Sequence, residues 1–382
     1  MSVTQRRAGL SRRDFLRATA HLTGATLVTA GLASCAGSGE EKGGVKQVSF
    51  ILDWIPKGQT APFYIALEKG YWAKRGLAVQ LQRGFGSGDT AVRIGRGEAQ
   101  FGWAGVSAVM DSIAKGLPLR EVAATTTTHP SAIFARKGLK VNGARDLVGH
   151  TGADNATGEN NAVMRAYCAK NGLDYDKDIS WRFIKDAGIA QVVGGQADMI
   201  IDWITNLPEW WLQKPPVEPN TLWIAKDLGI YGNGIITTEE VLEDDPELAR
   251  NFLGGALEGY QYTIENGAKG QREAIKALFK YNPEIAAQPN AEELHLANLQ
   301  LYLSLMLVKE TSDHGIGFFV PEKVDRTLAF INEHLLDKPL KREDAFGLDM
   351  VEDGEFEVDI EKGRAALETV AGRKNPLLPQ LT

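Results

Sequence analysis

From Val45 to about residue 238, short apolar runs alternate with segments of helical period, the pattern of an α/β chain. Val48 to Leu52 predicts a first strand and Val79 to Leu81 a second. Between them Ala61 to Lys69 has helical spacing, with Thr60 placed to cap its start and Gly70 just past its end. Helices follow at Thr90 to Arg96 and Val106 to Ala114, separated by the apolar Phe101-Gly102-Trp103 and followed by a strand at Val122 to Thr125. Ile133 to Ala135 leads into a second set. It holds a helix at Asn160 to Lys170 and strands at Ile179 to Phe183, Met199 to Trp203 and Leu222 to Ala225. Beyond Ile235-Ile236-Thr237 the pattern is mainly helical, at 246–266, 271–279, 291–308 and 321–336.

At 382 residues the chain exceeds what one compact core usually supports, so two α/β sets read as two lobes. The expected organisation is a first lobe over 45–135, a second over 136–230, a mainly helical return to the first lobe over 231–340, and an extension over 341–382. The chain would cross near Ala135–Lys137 and return near Gly229–Ile235. The last 40 residues are charged and turn-rich and predict no element. No internal repeat is visible.

The first forty residues break this pattern. Ser11-Arg12-Arg13-Asp14-Phe15-Leu16-Arg17 has the form of a twin-arginine export signal. Ala18 to Ser34 is uncharged and moderately apolar, shorter than the roughly 20 apolar residues that span a bilayer. It ends in Leu32-Ala33-Ser34-Cys35, the form of a lipobox whose cysteine is diacylated after cleavage. An ordinary signal peptide or a short anchor is the alternative. Residues 1–34 then form the signal peptide and 35–44 a flexible Gly/Ser/Glu tether. The expected address is the cell envelope, by twin-arginine export, with the membrane touched only through lipid on Cys35.

The charge of -7 includes +4 from residues 1–34, so the remainder carries -11. With no basic cluster outside the leader, nucleic-acid binding is not expected. Only Cys35 and Cys168 occur, which excludes a disulfide scaffold and leaves no zinc spacing. Cys168 falls in a helical pattern and reads as buried and inert.

Three blocks carry a resemblance. The opening is Leu52-Asp53-Trp54-Ile55-Pro56 with Ala61-Pro62-Phe63-Tyr64-Ile65-Ala66 and Glu68-Lys69-Gly70-Tyr71-Trp72. Next comes Gly95 to Trp103, continuing to Gly116–Ala123, and then Asp146-Leu147-Val148-Gly149 with Gly194 to Met199. In order from Val45 to Thr238, these resemble the NMT1/THI5-like solute-binding proteins of ABC importers, grouped with binders of thiamine-pyrimidine precursors, sulfonates, nitrate and taurine. Gln100 stands where the family usually has Asp, and Asp202–Asn206 has no match. The resemblance implies a two-lobed type II periplasmic-binding-protein fold with a ligand cleft between the lobes. Partners would be a small-molecule solute, an ABC permease and its ATPase, and the chain would be a monomer.

In open α/β lobes ligands collect beyond the C-terminal ends of strands, where helix N-termini present free N–H groups. Asp53 and Trp54 follow the first strand and the Gly86-Ser87-Gly88-Asp89 loop the second; Trp103 ends the third, and Asp202 and Trp203 end a strand of the second set. Indoles from both lobes could clamp a planar ring, each contact worth about 0.5–1.5 kcal/mol beyond area burial. Plain packing is the alternative for each of them, and is the reading preferred for Trp72, Trp181, Trp223 and the Trp210-Trp211 pair. Asp53 could accept from an amino-substituted ring, or could cap the turn at Thr60. Gln59 and Ser87 complete the first-lobe candidates. The loop Gly84 to Asp89 lacks the lysine and the glycine spacing of a nucleotide loop. Thr125 to Pro130 reads as a hinge strand, or places Thr128 and His129 on the cleft. Asn155 and Glu159 reach the solute or cap the next helix, and Tyr231 lines the return crossover beside Gly232 and Gly234.

No histidine lies in a nucleophile motif, and HExxH and GxSxG are absent. The chain also lacks the cysteine-rich iron motif of pyrimidine-forming relatives. A binding protein without catalytic residues, metal or cofactor is therefore expected, with a sensing lipoprotein or a pyrimidine-acting enzyme as alternatives. A pyrimidine precursor of thiamine leads the ligands, then other flat nitrogen heterocycles or aromatic acids. Sulfonate and nitrate rank lower, because the cleft segments are rich in Trp and acid and poor in Arg.

Overall fold

The computed structural model describes residues 41–42, 44–184 and 188–381. The export signal, the lipobox and most of the tether lie outside them. Strand β1 (Glu41–Lys42) pairs antiparallel with the start of β2 (Val45–Ile51), so the end of the expected tether is already paired.

The first sheet contains β2, β3 (Leu77–Gln82), β4 (Phe101–Gly105), β5 (Leu119–Ala124) and a late strand, β11 (Asn233–Thr238). β2 runs parallel to β3 and β4, with Ile51 opposite Gln82 and Gly102; β11 runs antiparallel between β4 and β5. Helices cover both faces, so β4 is buried at all five positions and reads as a continuous apolar run. Helices α1 (Ala61–Lys69), α2 (Ser87–Gly95) and α3 (Val106–Ala114) connect these strands. Thr60 does not cap α1. Its hydroxyl donates to the Lys57 carbonyl at 2.8 Å, closing a tight turn, while Gly70 ends α1 in the left-handed conformation. One face carries an aromatic core in which Phe252 stacks on Phe101 at 3.9 Å and Phe50 meets Phe63 edge-on at 4.9 Å.

The second sheet contains β6 (Ser131–Ala135), β7 (Thr151–Asp154), β8 (Ser180–Phe183), β9 (Met199–Trp203) and β10 (Asn220–Leu222), in the order β10-β6-β9-β7-β8. Helix α4 (Glu159–Lys170) follows β7. β6 pairs with β9, Ser131 opposite Trp203, so the boundary expected after Ala135 is one strand too late. The chain crosses between the sheets in 125–130 and returns in 223–232. These two segments bond to each other through Gly232 N–H to the Thr126 carbonyl, and through Thr125 and Thr126 N–H to the Asn233 carbonyl.

The remaining chain is helical, at Pro246–Glu265, Gly267–Tyr281, Ala291–Met306 and Pro321–His334. The tail, to which the sequence pattern assigns no element, forms a helix at Ile360–Ala365 and a hairpin at 369–374. Cys168 is buried, and burial pushes its thiol up to about 12, in keeping with an inert core residue.

Candidate functional site

A cavity of about 780 Å³ opens beyond the C-terminal ends of β2, β3, β7, β8 and β9. That is the position expected of a ligand in α/β sheets, and the volume is that of a small-molecule site. The first lobe contributes Asp53 to Lys57, Gln59, Arg83, Gly86 and Ser87; the second contributes Asp154, Asn155, Glu159, Ile189 and Ile200 to Trp203. A third wall comes from Ile285 to Asn298, in the helical part.

Two of the three strand-end indoles face the cavity. Trp54 and Trp203 line it from opposite lobes, and Trp203 is 7% exposed. Trp103 does not line it. It lies behind, edge-on to Trp203 with centroids 5.8 Å apart, its Nε1 donating to Thr125 Oγ1 at 2.8 Å. Trp103 therefore braces the Trp203 ring, which also lies near-parallel to Tyr302 at 6.3 Å.

Asp53 is buried and accepts from Asn233 Nδ2 at 2.9 Å; burial, opposed by that hydrogen bond, pushes its carboxyl up to about 7. Asp202 lines the cavity with Oδ1 accepting from the Trp203 N–H and Asn206 Nδ2, each at 2.7 Å, and burial raises its pKa. Lys57 reaches across from the first lobe to Glu209 of the second, 2.5 Å from Nζ to Oε1. Burial disfavours that ammonium, but Glu209 and Asp202 together raise its pKa above the ordinary lysine value.

Ser87 lines the cavity while its Oγ accepts from the Gly105 N–H at 3.0 Å. Asn155 lines it too, but its Oδ1 closes a local turn, accepting from Thr157 N–H and Oγ1. Glu159, expected to reach the solute or cap a helix, lies on the cavity wall with both oxygens engaged. Oε1 accepts from the Ser107 N–H at 3.0 Å and faces His129 Nε2 at 2.8 Å, and Oε2 accepts from the Ala108 N–H at 2.8 Å. The carboxylate thus ties α4 of one lobe to the N-terminus of α3 in the other, where free N–H groups favour an anion. Gly105 permits the approach, since a Cβ there would lie 2.3 Å from Glu159 Cγ.

Three further candidates fall elsewhere. Thr128 is on the crossover but not on the cavity wall, and His129 is drawn inward to Glu159. Tyr231 is buried, its OH accepting from the Val320 N–H at 2.9 Å and its ring edge-on to Phe319. Trp72, Trp181 and Trp223 each donate to a backbone carbonyl, and Trp210 and Trp211 are core residues, as packing requires.

Sequence reasoning missed Lys57, Glu209, His295 and Asn298. Asn298 Oδ1 accepts from the Gln59 N–H at 2.8 Å, while its Nδ2 donates to the Thr205 carbonyl at 3.0 Å and to Asn206 Oδ1 at 2.9 Å. Gly58 lets this helix come so close that a Cβ would lie 1.9 Å from the His295 carbonyl oxygen. Polar positions on the buried face of the Ala291–Met306 helix were the available signal.

Two sheets joined by two crossovers, with a cavity at their strand ends, define the class: a periplasmic-binding-protein fold. The aliphatic sulphonate-binding protein of Escherichia coli has this fold, matching with a TM-score of 0.58 at 15% identity over 82% of this chain and 94% of that one. The model of the NMT1/THI5-like family matches residues 57–269, and the chain belongs to that family. It is similar to the riboflavin-binding protein RibY of Chloroflexus aurantiacus, at 27% identity over 82% of this chain and 88% of the relative. It is also similar to the formylaminopyrimidine-binding protein of Halalkalibacterium halodurans, at 24% identity over 82% and 94%.

Proposed function

We propose that this chain is the extracytoplasmic solute-binding component of an ABC importer, holding an uncharged planar nitrogen heterocycle between the lobes at Trp54 and Trp203. It acts as a binder rather than an enzyme. The observation that carries this reading is a strand-end cavity walled by one indole from each lobe. Two curated relatives, named for riboflavin and for a formylaminopyrimidine, both have planar nitrogen-ring ligands. Charge supports the same class: the acids Asp53, Asp154, Glu159, Asp202 and Glu209 outnumber the cations Lys57, Arg83 and Lys214 on the cavity wall, and the Lys57 ammonium is already paired. Asp53, beside Trp54, accepts from ring N–H groups.

In this proposal the solute bridges the lobes, closure buries the ring, and the closed face engages a permease and its ATPase. The protein works as a monomer, exported through its twin-arginine signal and anchored by lipid on Cys35. Calorimetric titration of the purified chain with riboflavin, a formylaminopyrimidine and an alkanesulfonate tests the ligand class. A nitrogen heterocycle should bind and the sulfonate should not; the reverse order overturns it. Trp54→Ala should weaken the best heterocycle by about 1 kcal/mol, the worth of one aromatic contact.

A further inference from the structure

We propose that the helical end of the cavity is a second subsite, in which Gln59, Thr205 and His295 read a neutral, hydroxyl-bearing chain carried by the ring. This deepens, and rests on, the reading of the cavity as a site for a planar heterocycle.

Four buried polar atoms at this end have no hydrogen-bond partner among the described residues: Gln59 Oε1, Thr205 Oγ1 and both ring nitrogens of His295. Their residues are 4%, 0% and 4% exposed, and all three line the cavity. Buried polar groups are nearly always satisfied, so several unpartnered ones on one wall point to a guest that supplies the missing partners. Asn298 holds them together, since it bonds the Gln59 N–H and the Thr205 carbonyl, and His295 lies one helical turn before it.

The chemistry of the set selects its guest. Burial and the nearby Lys57 ammonium hold His295 at about 4, so at neutral pH its ring offers one donor and one acceptor. Thr205 offers both roles and Gln59 Oε1 only accepts. Hydroxyls, which donate and accept, match every member. A phosphate or sulfonate, which only accepts, would oppose Gln59 Oε1 and the acceptor nitrogen of His295, with Asp202 and Glu209 on the same cavity adding repulsion.

Three flavin probes separate the possibilities: riboflavin, with its hydroxylated chain; lumiflavin, the same ring with a methyl in its place; and the chain-phosphorylated form. Titration of the full chain should give riboflavin at least tenfold tighter binding than either other probe. Thr205→Val and His295→Leu should each cost riboflavin at least fivefold more than they cost lumiflavin, and Thr205→Ser should recover most of the loss. Equal losses for both rings would mean the side chains merely support the wall, and would overturn the subsite. So would lumiflavin binding as tightly as riboflavin, with water filling that end instead. If no flavin binds the wild-type chain, the subsite falls; the heterocycle reading falls with it only if the formylaminopyrimidine also fails to bind.

Discussion

Replacing Glu159 by Gln keeps the shape of the side chain and removes its charge. Both native oxygens reach out of the second lobe: Ser107 N–H of the first lobe and His129 of the crossover on Oε1, Ala108 N–H of the first lobe on Oε2. A glutamine retains one acceptor oxygen and turns an NH₂ toward the other site, so at least one buried N–H loses its acceptor and faces a donor. A hydrogen bond to a charged group is worth about 1.5–3 kcal/mol, and loss of the anion at a helix N-terminus adds about 0.3–1 kcal/mol. The expected destabilisation is therefore about 3 kcal/mol. Chemical denaturation should show a lower midpoint with an unchanged slope. Solute affinity should fall as well, because the lost contacts span the two lobes. A stability change within about 0.5 kcal/mol of zero, the level of an ordinary surface substitution, would refute the argument that this carboxylate joins the lobes.

The pH dependence of stability has a defined sign. Burial raises the Asp53 and Asp154 carboxyls to about 7 and raises Glu121, whose two oxygens have no hydrogen-bond partner among the described residues, well above its ordinary value. The unfolded chain releases these protons near pH 4, so their contribution is complete below that pH and is lost as pH rises through the folded values. Glu121→Gln should remove part of that slope, up to about 1.4 kcal/mol per pH unit above 4.5, in denaturation series at pH 4.5, 6 and 7.5. Parallel curves for variant and wild type would contradict it. Lys57→Met leaves Glu209 and Asp202 facing each other without their cation. The Lys57 and Glu209 side chains are 18% and 24% exposed, so the stability cost at neutral pH should be about 2 kcal/mol, below the 3–5 of a fully buried broken pair. It should shrink at pH 4 in the same denaturation assay, because burial raises the Asp202 carboxyl to about 6 and it is protonated there.

Alternating apolar runs located most of the strands, because a strand covered on both faces is apolar along its length; β7, with the sequence Thr-Gly-Ala-Asp, carries no such run and was missed. The strand-end rule pointed to Asp53, Trp54, Ser87, Asp202 and Trp203, all of which line the cavity, since backbone direction alone decides where a parallel strand stops. Which indole faces the cavity depended on where each strand stops: Trp203 ends β9, whereas Trp103 lies at the middle of β4, held behind its neighbour against Tyr302 and Thr125. The crossover was displaced by one strand because β5 and β6 are both short apolar runs, and only pairing with distant strands assigns β6 to the second sheet. The third wall was hidden for the same reason. His295 and Asn298 lie on an ordinary helix far along the chain, and Lys57 meets Glu209 across 152 residues. Local pattern determines which elements form; contacts between residues remote in sequence decide which polar groups end up sharing one cavity.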